Sequence, residues 1–443
     1  MKLLIKNVYI VTMNNNFSKF KGNIVISDDK IEKISEHDIH GKFDKVIDGE
    51  GLTALPGFVQ PHIHLCQTLF RGSADDMELM DWLKKRVWPL EGAHDEESIY
   101  YSAKLGISEL IKCGTTCIAD METVHYTDDA IRAIYESGIR AITGKVMMDY
   151  GSDVPKTLME NTDESINESV RLLKKWNGKG SGRIEYAFTP RFVVSCTEDL
   201  LLKVKKLSME YGVKVHTHAS ENRGEIAFVQ KDRGMRNVDY LKKIGLLGRN
   251  LILVHCIWLN EEEMQEIKES GTKVVHCPSS NLKLASGIAK IPELMDMGID
   301  VGIAADGAPC NDNLDIFMEM RLSSLIQKVR LGATAMNCRK VLYLATMGGA
   351  KVMGKEKEIG SIEEGKKADI ILLDLNKVHN APLCHADVES TIVYSAKSED
   401  VSTVIIDGKI LMEHRKLITL DETEIMKNCE SSMERLCKKV NIV

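Results

Sequence analysis

The sequence contains no hydrophobic run of the roughly 18 residues that a membrane-spanning helix needs. Near the N-terminus, Lys6 interrupts the apolar residues before they could form a secretory signal peptide, so we expect none. Basic residues are not in excess, because 58 Lys and Arg stand against 65 Asp and Glu, and the formal net charge is −7. Since nucleic-acid-binding proteins usually carry a basic face, we expect no contact with nucleic acid. Because no apolar run is long enough to span a membrane, we expect no membrane contact either.

Cysteine pairs with CxxC spacing are also absent. The eleven cysteines are odd in number, and no CxxC motif occurs among them. Disulfide frameworks belong to oxidising compartments, whereas free thiols persist in reducing ones. The cysteine pattern therefore favours a cytoplasmic protein with free thiols.

Both ends of the chain contain short runs rich in Val and Ile, separated by polar turns. Near the C-terminus, one such run covers residues 369–373, and residues 404–406 precede Asp407-Gly408, a strong hairpin signal. Two distant β-rich segments predict one small β-sandwich domain built from residues 1–55 and 355–443, the second part including a C-terminal helix.

The middle of the chain, residues 56–354, alternates short apolar runs with amphipathic stretches. Its length exceeds a barrel's typical 250 or so residues only modestly, and eight strands alternating with helices favour a (β/α)8 TIM barrel of the α/β class. Counting strands does not by itself exclude an open, doubly wound sheet. The predicted strands cover residues 57–63, 116–119, 140–147, 184–188, 213–216, 251–254, 273–275 and 301–304.

Polar residues stand at the carboxyl ends of four of these strands. His62 and His64 end the first strand, His218 follows the fifth, His255 the sixth and Asp306 the eighth. In a (β/α)8 barrel these strand ends converge on one face, so residues far apart in sequence would share one pocket.

These residue types are suited to a metal centre. His62 and His64 lie two apart on a strand end, so their side chains point the same way. Imidazole and carboxylate ligands suit Zn²⁺ or Fe²⁺, and such a site leaves a position for water, which the metal makes more acidic. Glu221, three residues after His218, is the natural proton shuttle between this water and a leaving group.

Other polar residues near the strand ends have plainer interpretations. We expect His216 to point away from the metal, and His94 to lie in a loop or on a helix surface. We expect the cysteines near the site to act as small packing residues. They are Cys66, Cys256, Cys277 and Cys310.

Three motifs resemble the amidohydrolase superfamily. They are the opening segment at residues 55–64 (LPGFVQPHIH), the segment at 276–287 (HCPSSNLKLASG), similar to the deaminase and chlorohydrolase branch, and the return to the β domain at 365–369 (GKKAD). The resemblance spans nearly the whole chain in the expected order. It implies a metal-dependent hydrolase on a (β/α)8 barrel.

The resemblance also implies roles for single residues. His62, His64, His218 and Asp306 would bind the metal, and Asp306 would accept a proton from the water. Glu221 would be the acid–base and contact the substrate, and His255 would orient substrate and water. Binuclear relatives carry a carboxylated lysine on the fourth strand, but residues 184–191 contain no lysine. One divalent metal per chain is therefore expected, Zn²⁺ first and Fe²⁺ as the alternative.

The substrate is indicated by residues outside this centre. Trp82 and Glu91 resemble the residues of methylthioadenosine and adenosylhomocysteine deaminases that pack on the ligand and accept hydrogen bonds from ribose hydroxyls. Equally, Trp82 can be helix core and Glu91 a first-turn charge. Where those deaminases have a histidine, this chain has Arg191, and Gln67 with Arg191 resembles guanine deaminase, in which the equivalents hold the base.

We therefore expect a cytoplasmic deaminase of adenine nucleosides: 5'-deoxyadenosine, 5'-methylthioadenosine or S-adenosylhomocysteine. Water would attack purine C6 and ammonia would leave. Guanine deamination and hydrolysis of triazines or other N-heterocycles are the alternatives; residues 67–72 and 306–311 also resemble triazine hydrolases and 5'-deoxyadenosine deaminases. A non-catalytic scaffold would lack metal ligands, and a cyclic-amide hydrolase would need the fourth-strand lysine. Relatives commonly form homo-oligomers, which we expect here too.

Overall fold

The structure is a computed structural model that describes residues 1–384 and 386–441. Helices alternate with strands through the middle of the chain, and no helix of the described part is long and apolar enough to cross a membrane. The strands are β1 Lys2–Val11, β2 Lys19–Ser27, β3 Lys30–Ser35, β4 Lys45–Asp48, β5 Thr53–Pro56, β6 Phe58–His64, β7 Thr115–Met121, β8 Arg140–Gly144, β9 Val146–Met147, β10 Ile184–Pro190, β11 Lys214–Ala219, β12 Leu251–His255, β13 Lys273–His276, β14 Val301–Ile303, β15 Asp306–Gly307, β16 Ile370–Leu373, β17 Val401–Ile406, β18 Lys409–Glu413 and β19 Lys416–Leu417.

The helices are α1 Leu79–Trp82, α2 Trp88–Glu91, α3 Glu96–Lys112, α4 Thr127–Ser137, α5 Thr162–Trp176, α6 Glu198–Tyr211, α7 Arg223–Arg233, α8 Asn237–Lys243, α9 Glu261–Ser270, α10 Pro278–Lys283, α11 Ile291–Asp296, α12 Ala308–Asn311, α13 Ile316–Leu331, α14 Cys338–Tyr343, α15 Gly349–Met353, α16 Val388–Tyr394 and α17 Glu422–Val440. Shorter 3-10 or π-helical turns lie at Leu65–Phe70, Leu83–Val87, Val193–Ser195, Leu344–Gly348, Val378–Asn380 and Ser398–Asp400.

The middle of the chain forms a closed parallel barrel. Its strands follow the order β6, β7, β8, β10, β11, β12, β13 and β14, and β9 continues the third position beside β10. The eighth position is split into β14 and β15, and β15 pairs with β6 through Asp306 opposite Ile63. Because the last position bonds to the first, the predicted (β/α)8 barrel is confirmed and an open sheet is excluded.

The barrel interior is apolar at its amino-terminal end. Strands buried on both faces are nearly continuous in hydrophobic residues, as in Leu251–His255, where every residue is buried. Helix α15 contributes Ala350, Val352 and Met353 to the two interior clusters. At Gly349 a Cβ would lie 2.5 Å from the carbonyl oxygen of Val59, so only glycine permits this close approach. α15 thus closes one end and leaves the carboxyl ends of the strands for the polar residues.

The small β domain combines both ends of the chain, as predicted. Strands β1–β5 and β16–β19 are hydrogen-bonded into one mixed sheet, in which β16 pairs antiparallel with β5. It has its own apolar core, including Ile5, Ile24 and Ile370. The Asp407-Gly408 turn joins β17 and β18, with positive φ at both residues, as its hairpin signal requires. The division at residues 55/56 and 354/355 stays a prediction.

A buried ion-pair group connects the barrel with the small domain. At the start of β8, the Arg140 guanidinium donates to Asp369 at 2.7 and 3.0 Å and to Asp407 at 2.9 Å. The side chains of Arg140 and Asp369 are each 1% exposed. The group therefore fixes the sheet domain against the third barrel strand.

Replacing Arg140 by alanine should lower the free energy of unfolding by about 3–5 kcal/mol, because two carboxylates would lose their buried cation. The matched control is Arg132→Ala, since Arg132 is half exposed and pairs with Asp129 on the surface. That variant should lose at most about 1 kcal/mol. Chemical denaturation followed by circular dichroism measures both changes, and equal losses would contradict the anchoring role of Arg140.

Candidate active site

Four side chains predicted as metal ligands meet at the carboxyl ends of the barrel strands. His62 Nε2 lies 3.1 Å and His64 Nε2 3.4 Å from Asp306 Oδ1. The His218 ring lies 5.0 Å from that of His62 and 5.4 Å from that of His64, centroid to centroid. Residues separated by more than 240 positions in sequence therefore share one buried centre.

Hydrogen bonds on the far side of each ring fix its orientation. His64 Nδ1 donates to the carbonyl of Met121, and His218 Nδ1 donates to the carbonyl of Arg191, both at 2.7 Å. Because Nδ1 is engaged in each case, Nε2 faces the centre, an arrangement typical of metal-ligating histidines.

The protonation states of this group also fit a metal. Burial lowers the pKa of His64 to about 3 and that of His218 well below its usual value, so both rings are neutral. Burial opposes ionisation of Asp306, but the hydrogen bond from His62 and the nearby His255 ring, whose own pKa is raised, hold the pKa of Asp306 well below the usual range. Neutral imidazoles with one carboxylate are the donor set of divalent transition-metal sites, so these residues fit a divalent metal ion.

His216 does not point away from the centre, and our prediction for it was wrong. Its Nε2 lies 3.0 Å from Nδ1 of His62. Residues two apart on a strand share a face, so His216 follows the direction of His218. It therefore supports the ring of His62 from behind.

His255 and Glu221 complete the polar group. Backbone φ is +71° at His255 and +50° at Cys256, so the chain turns sharply at the end of β12 and directs the ring inward. His255 Nε2 lies 3.5 Å from Glu221 Oε2 and 3.8 Å from Asp306 Oδ2. Burial raises the pKa of Glu221 to about 7, a value suited to taking up and releasing a proton.

Glu91, from the resemblance to nucleoside deaminases, and Gln67 with Arg191, from the resemblance to guanine deaminase, form one hydrogen-bonded group. Glu91 accepts from Gln67 Nε2 at 2.7 Å and from Arg191 Nη1 and Nη2 at 2.6 and 3.2 Å. Glu91 is 2% exposed, so it is not a solvated first-turn charge. Gln67 and Arg191 line the cavity beside the histidines, and Glu91 stands behind them.

Apolar side chains cover this cavity. Leu79, Trp82 and Leu83, from α1 and the π-helical turn after it, line it opposite the polar group. Trp82 is 4% exposed and belongs to the main apolar core, so it packs as a core residue and also faces the cavity. Residues 79–83 therefore form a covering segment that narrows the cavity above the polar group.

We expected Cys277 only to fill space, but it lies close to the histidine–aspartate centre. Its sulfur is within 4.8 Å of donor atoms of His255 and Asp306. Burial raises the pKa of this thiol well above its usual value, so it stays protonated and is a poor ligand. Cys66, Cys256 and Cys310 are likewise buried.

Two residues near the site were missed from sequence. Ser280 donates to Asp306 Oδ2, and Asn281 accepts from His255. Both residues lie in the motif at residues 276–287, and membership of this motif was the only sequence feature that could have indicated them. His94 lies in a loop, as expected, where it is buried and bonds the carbonyl of Cys66 and the hydroxyl of Ser98.

Comparison with known proteins agrees with these features. The model of the Amidohydrolase family matches residues 53–411. The chain is 44% identical to the 5'-deoxyadenosine deaminase of Methanobrevibacter smithii over 98% of both chains. It is 38% identical to the 5-methylthioadenosine/S-adenosylhomocysteine deaminase of Syntrophomonas wolfei, over 99% of this chain and 100% of that protein.

Among solved structures, a zinc-bound adenosine deaminase from Xanthomonas campestris matches with a TM-score of 0.92 and 31% identity, covering 98% of each chain. The fold, the placement of histidines at strand ends and the full-length similarity all agree with the resemblance seen in the motifs. The protein belongs to the amidohydrolase family.

Proposed function

We propose that this protein is a hydrolytic deaminase of adenine nucleosides, acting on a C–N bond of the purine with 5'-deoxyadenosine, 5'-methylthioadenosine and S-adenosylhomocysteine as its substrate class. The observation that carries the proposal is that the histidine–aspartate centre, Glu221 and His255 meet in one buried cavity. The names of the full-length relatives narrow the substrate to adenine nucleosides.

A single divalent metal ion, which we propose to be Zn²⁺ with Fe²⁺ as the alternative, would be held by His62, His64, His218 and Asp306. When bound, it supplies Lewis-acid activation of water. The fourth barrel strand, Ile184–Pro190, carries no lysine, which supports one ion and not two.

The side chains around this centre divide the proton transfers. Glu221 takes a proton from the attacking water and returns it to the purine as C6 becomes tetrahedral. His255 Nε2 faces both Glu221 and Asp306 and orients the attacking oxygen between them. Asp306 accepts the second proton, which leaves with the amino group. One water is consumed and one ammonia is released, so the purine gains a carbonyl at C6.

The group at the other side of the cavity would hold the substrate. Arg191 and Gln67 present donors to the nucleoside, and Glu91, which stands behind them, orients both by accepting their N–H groups. Trp82 would pack on the purine. Because Gln67 and Arg191 themselves line the cavity, guanine deamination is the second candidate, with these donors on the O6 carbonyl.

The proposal predicts ammonia release from 5'-deoxyadenosine, methylthioadenosine and adenosylhomocysteine, with adenosine and guanine completing the panel. Metal-loaded protein is assayed with a coupled ammonia detection, and chelator-treated protein and His218→Ala serve as blanks. The proposal is supported if adenine nucleosides are deaminated and guanine is not. Turnover of guanine alone would replace it with the second candidate.

A further inference from the structure

Two consecutive residues after β13 contact Asp306 and His255. Ser280 Oγ donates to Asp306 Oδ2 at 2.7 Å, and Asn281 Oδ1 accepts from His255 Nδ1 at 2.9 Å. Ser280 is fully buried and Asn281 is 1% exposed. Neither residue belongs to the metal-type ligand set, yet each touches a residue that handles a proton in the proposed reaction.

The contact with Asn281 determines how the His255 ring is presented. An amide oxygen can only accept a hydrogen bond, so Nδ1 of His255 carries the hydrogen and Nε2 is the atom that faces Glu221 and Asp306. The backbone at His255 is in the left-handed region, so the ring direction is not secured by regular strand geometry. The amide of Asn281 supplies the missing restraint.

The contact with Ser280 distinguishes the two oxygens of Asp306. Oδ2 accepts from Ser280, while Oδ1 lies beside the Nε2 atoms of His62 and His64. A carboxylate without such a bond exchanges its oxygens by rotation. With it, Oδ1 is assigned to the ligand set and Oδ2 to the side where His255 lies.

The short helix that carries both residues is itself secured. Ser279 donates through its backbone N–H and its hydroxyl to the Glu319 carboxyl group, at 3.1 and 2.5 Å. Glu319 is fully buried on α13 and also accepts from Asn311 at 2.9 Å. Behind the helix, the N–H of Ser286 donates to the Asn281 carbonyl at 2.8 Å. A rigid support of this kind is what holds functional groups within narrow limits.

We infer that Ser280 and Asn281 are positioning residues: they set which oxygen of Asp306 and which nitrogen of His255 face the reacting atoms. The inference rests on the proposed function for its activity readout, but the geometry of Asp306 is also testable without turnover. Loss of supporting bonds behind metal-centre residues typically costs about 10- to 100-fold in activity or metal affinity.

The test compares Ser280→Ala and Asn281→Leu with a matched control, Ser323→Ala. Ser323 is a fully buried serine on α13 whose hydroxyl has no hydrogen-bond partner among residues 1–384 and 386–441. Both test variants should lose kcat by about 10- to 100-fold at unchanged KM for 5'-deoxyadenosine, with full metal content and wild-type melting temperature. Asn281→Asp, which retains an acceptor oxygen, should recover most of the loss, and Ser323→Ala should keep wild-type kcat.

A second readout replaces the native metal by Co²⁺ and records the visible absorption spectrum. Ser280→Ala should shift the Co²⁺ bands because Asp306 can rotate, whereas Ser323→Ala should not. The inference is overturned if both test variants match the control in kcat and spectrum, or if their activity falls only in proportion to lost metal or folded protein. If the wild type deaminates no nucleoside, the proposed function fails, and the Co²⁺ spectra still decide whether Ser280 positions Asp306.

Discussion

Glu221→Gln is expected to lower kcat by about 10²- to 10⁴-fold while leaving metal content intact. Glutamine has the same shape but cannot take a proton from water, and Glu221 is the buried carboxyl group that faces both His255 and the cavity. Steady-state ammonia release gives kcat, and elemental analysis of the same samples gives the metal content.

The matched control is Glu225→Gln, four residues further along the chain. Glu225 is also buried, and it accepts from the Glu221 backbone N–H at 2.8 Å, but it does not line the cavity. It should retain most of the activity. If the two variants lose equal activity, Glu221 acts through packing or local charge and not as the proton shuttle.

Breaking the pair between Arg191 and Glu91 is expected to affect both stability and substrate binding. Arg191→Met leaves the Glu91 carboxylate buried with Gln67 alone, which should cost about 3–5 kcal/mol of unfolding free energy. The double variant Arg191→Met with Glu91→Gln removes the unpaired charge and should recover part of that loss. Because Arg191 lines the cavity, KM should rise more than kcat falls.

The control for the Arg191 and Glu91 variants is Arg236→Met. Arg236 pairs with the fully buried Glu263 at 2.9 Å, away from the histidine centre, so its loss should reduce stability without changing KM. Denaturation curves and steady-state kinetics are measured on the wild type and all three variants. A KM change shared by Arg191→Met and Arg236→Met would mean that Arg191 has no specific contact with substrate.

The barrel and its metal-type centre were predictable because each rests on a short-range pattern. Alternation on a strand places His62 and His64 on one side, and the closed barrel then brings His218 and Asp306 to the same face. The same alternation applies to His216, so its placement was available from sequence and was misjudged.

Other contacts depend on how helices and loops are oriented relative to the barrel, and no local sequence pattern predicts that orientation. Glu91 and Arg191 stand 100 residues apart, and their pairing depends on how the covering segment folds back over the barrel. Likewise, Ser280 and Asn281 reach the centre only because α10 leaves β13 at a particular angle. For such residues a motif indicates importance, but the partner emerges only in three dimensions.

The small domain is composed of the two ends of the chain, and this has a consequence for synthesis on the ribosome. Strand β5 pairs with β16, which follows it by more than 300 residues. At about 5–20 residues per second, the edge of β5 waits roughly 15–60 s for its partner to emerge. During that interval an apolar strand edge is open to wrong pairing, so the sheet is started before the barrel is synthesised and closed only after it, and its first strands need protection in between.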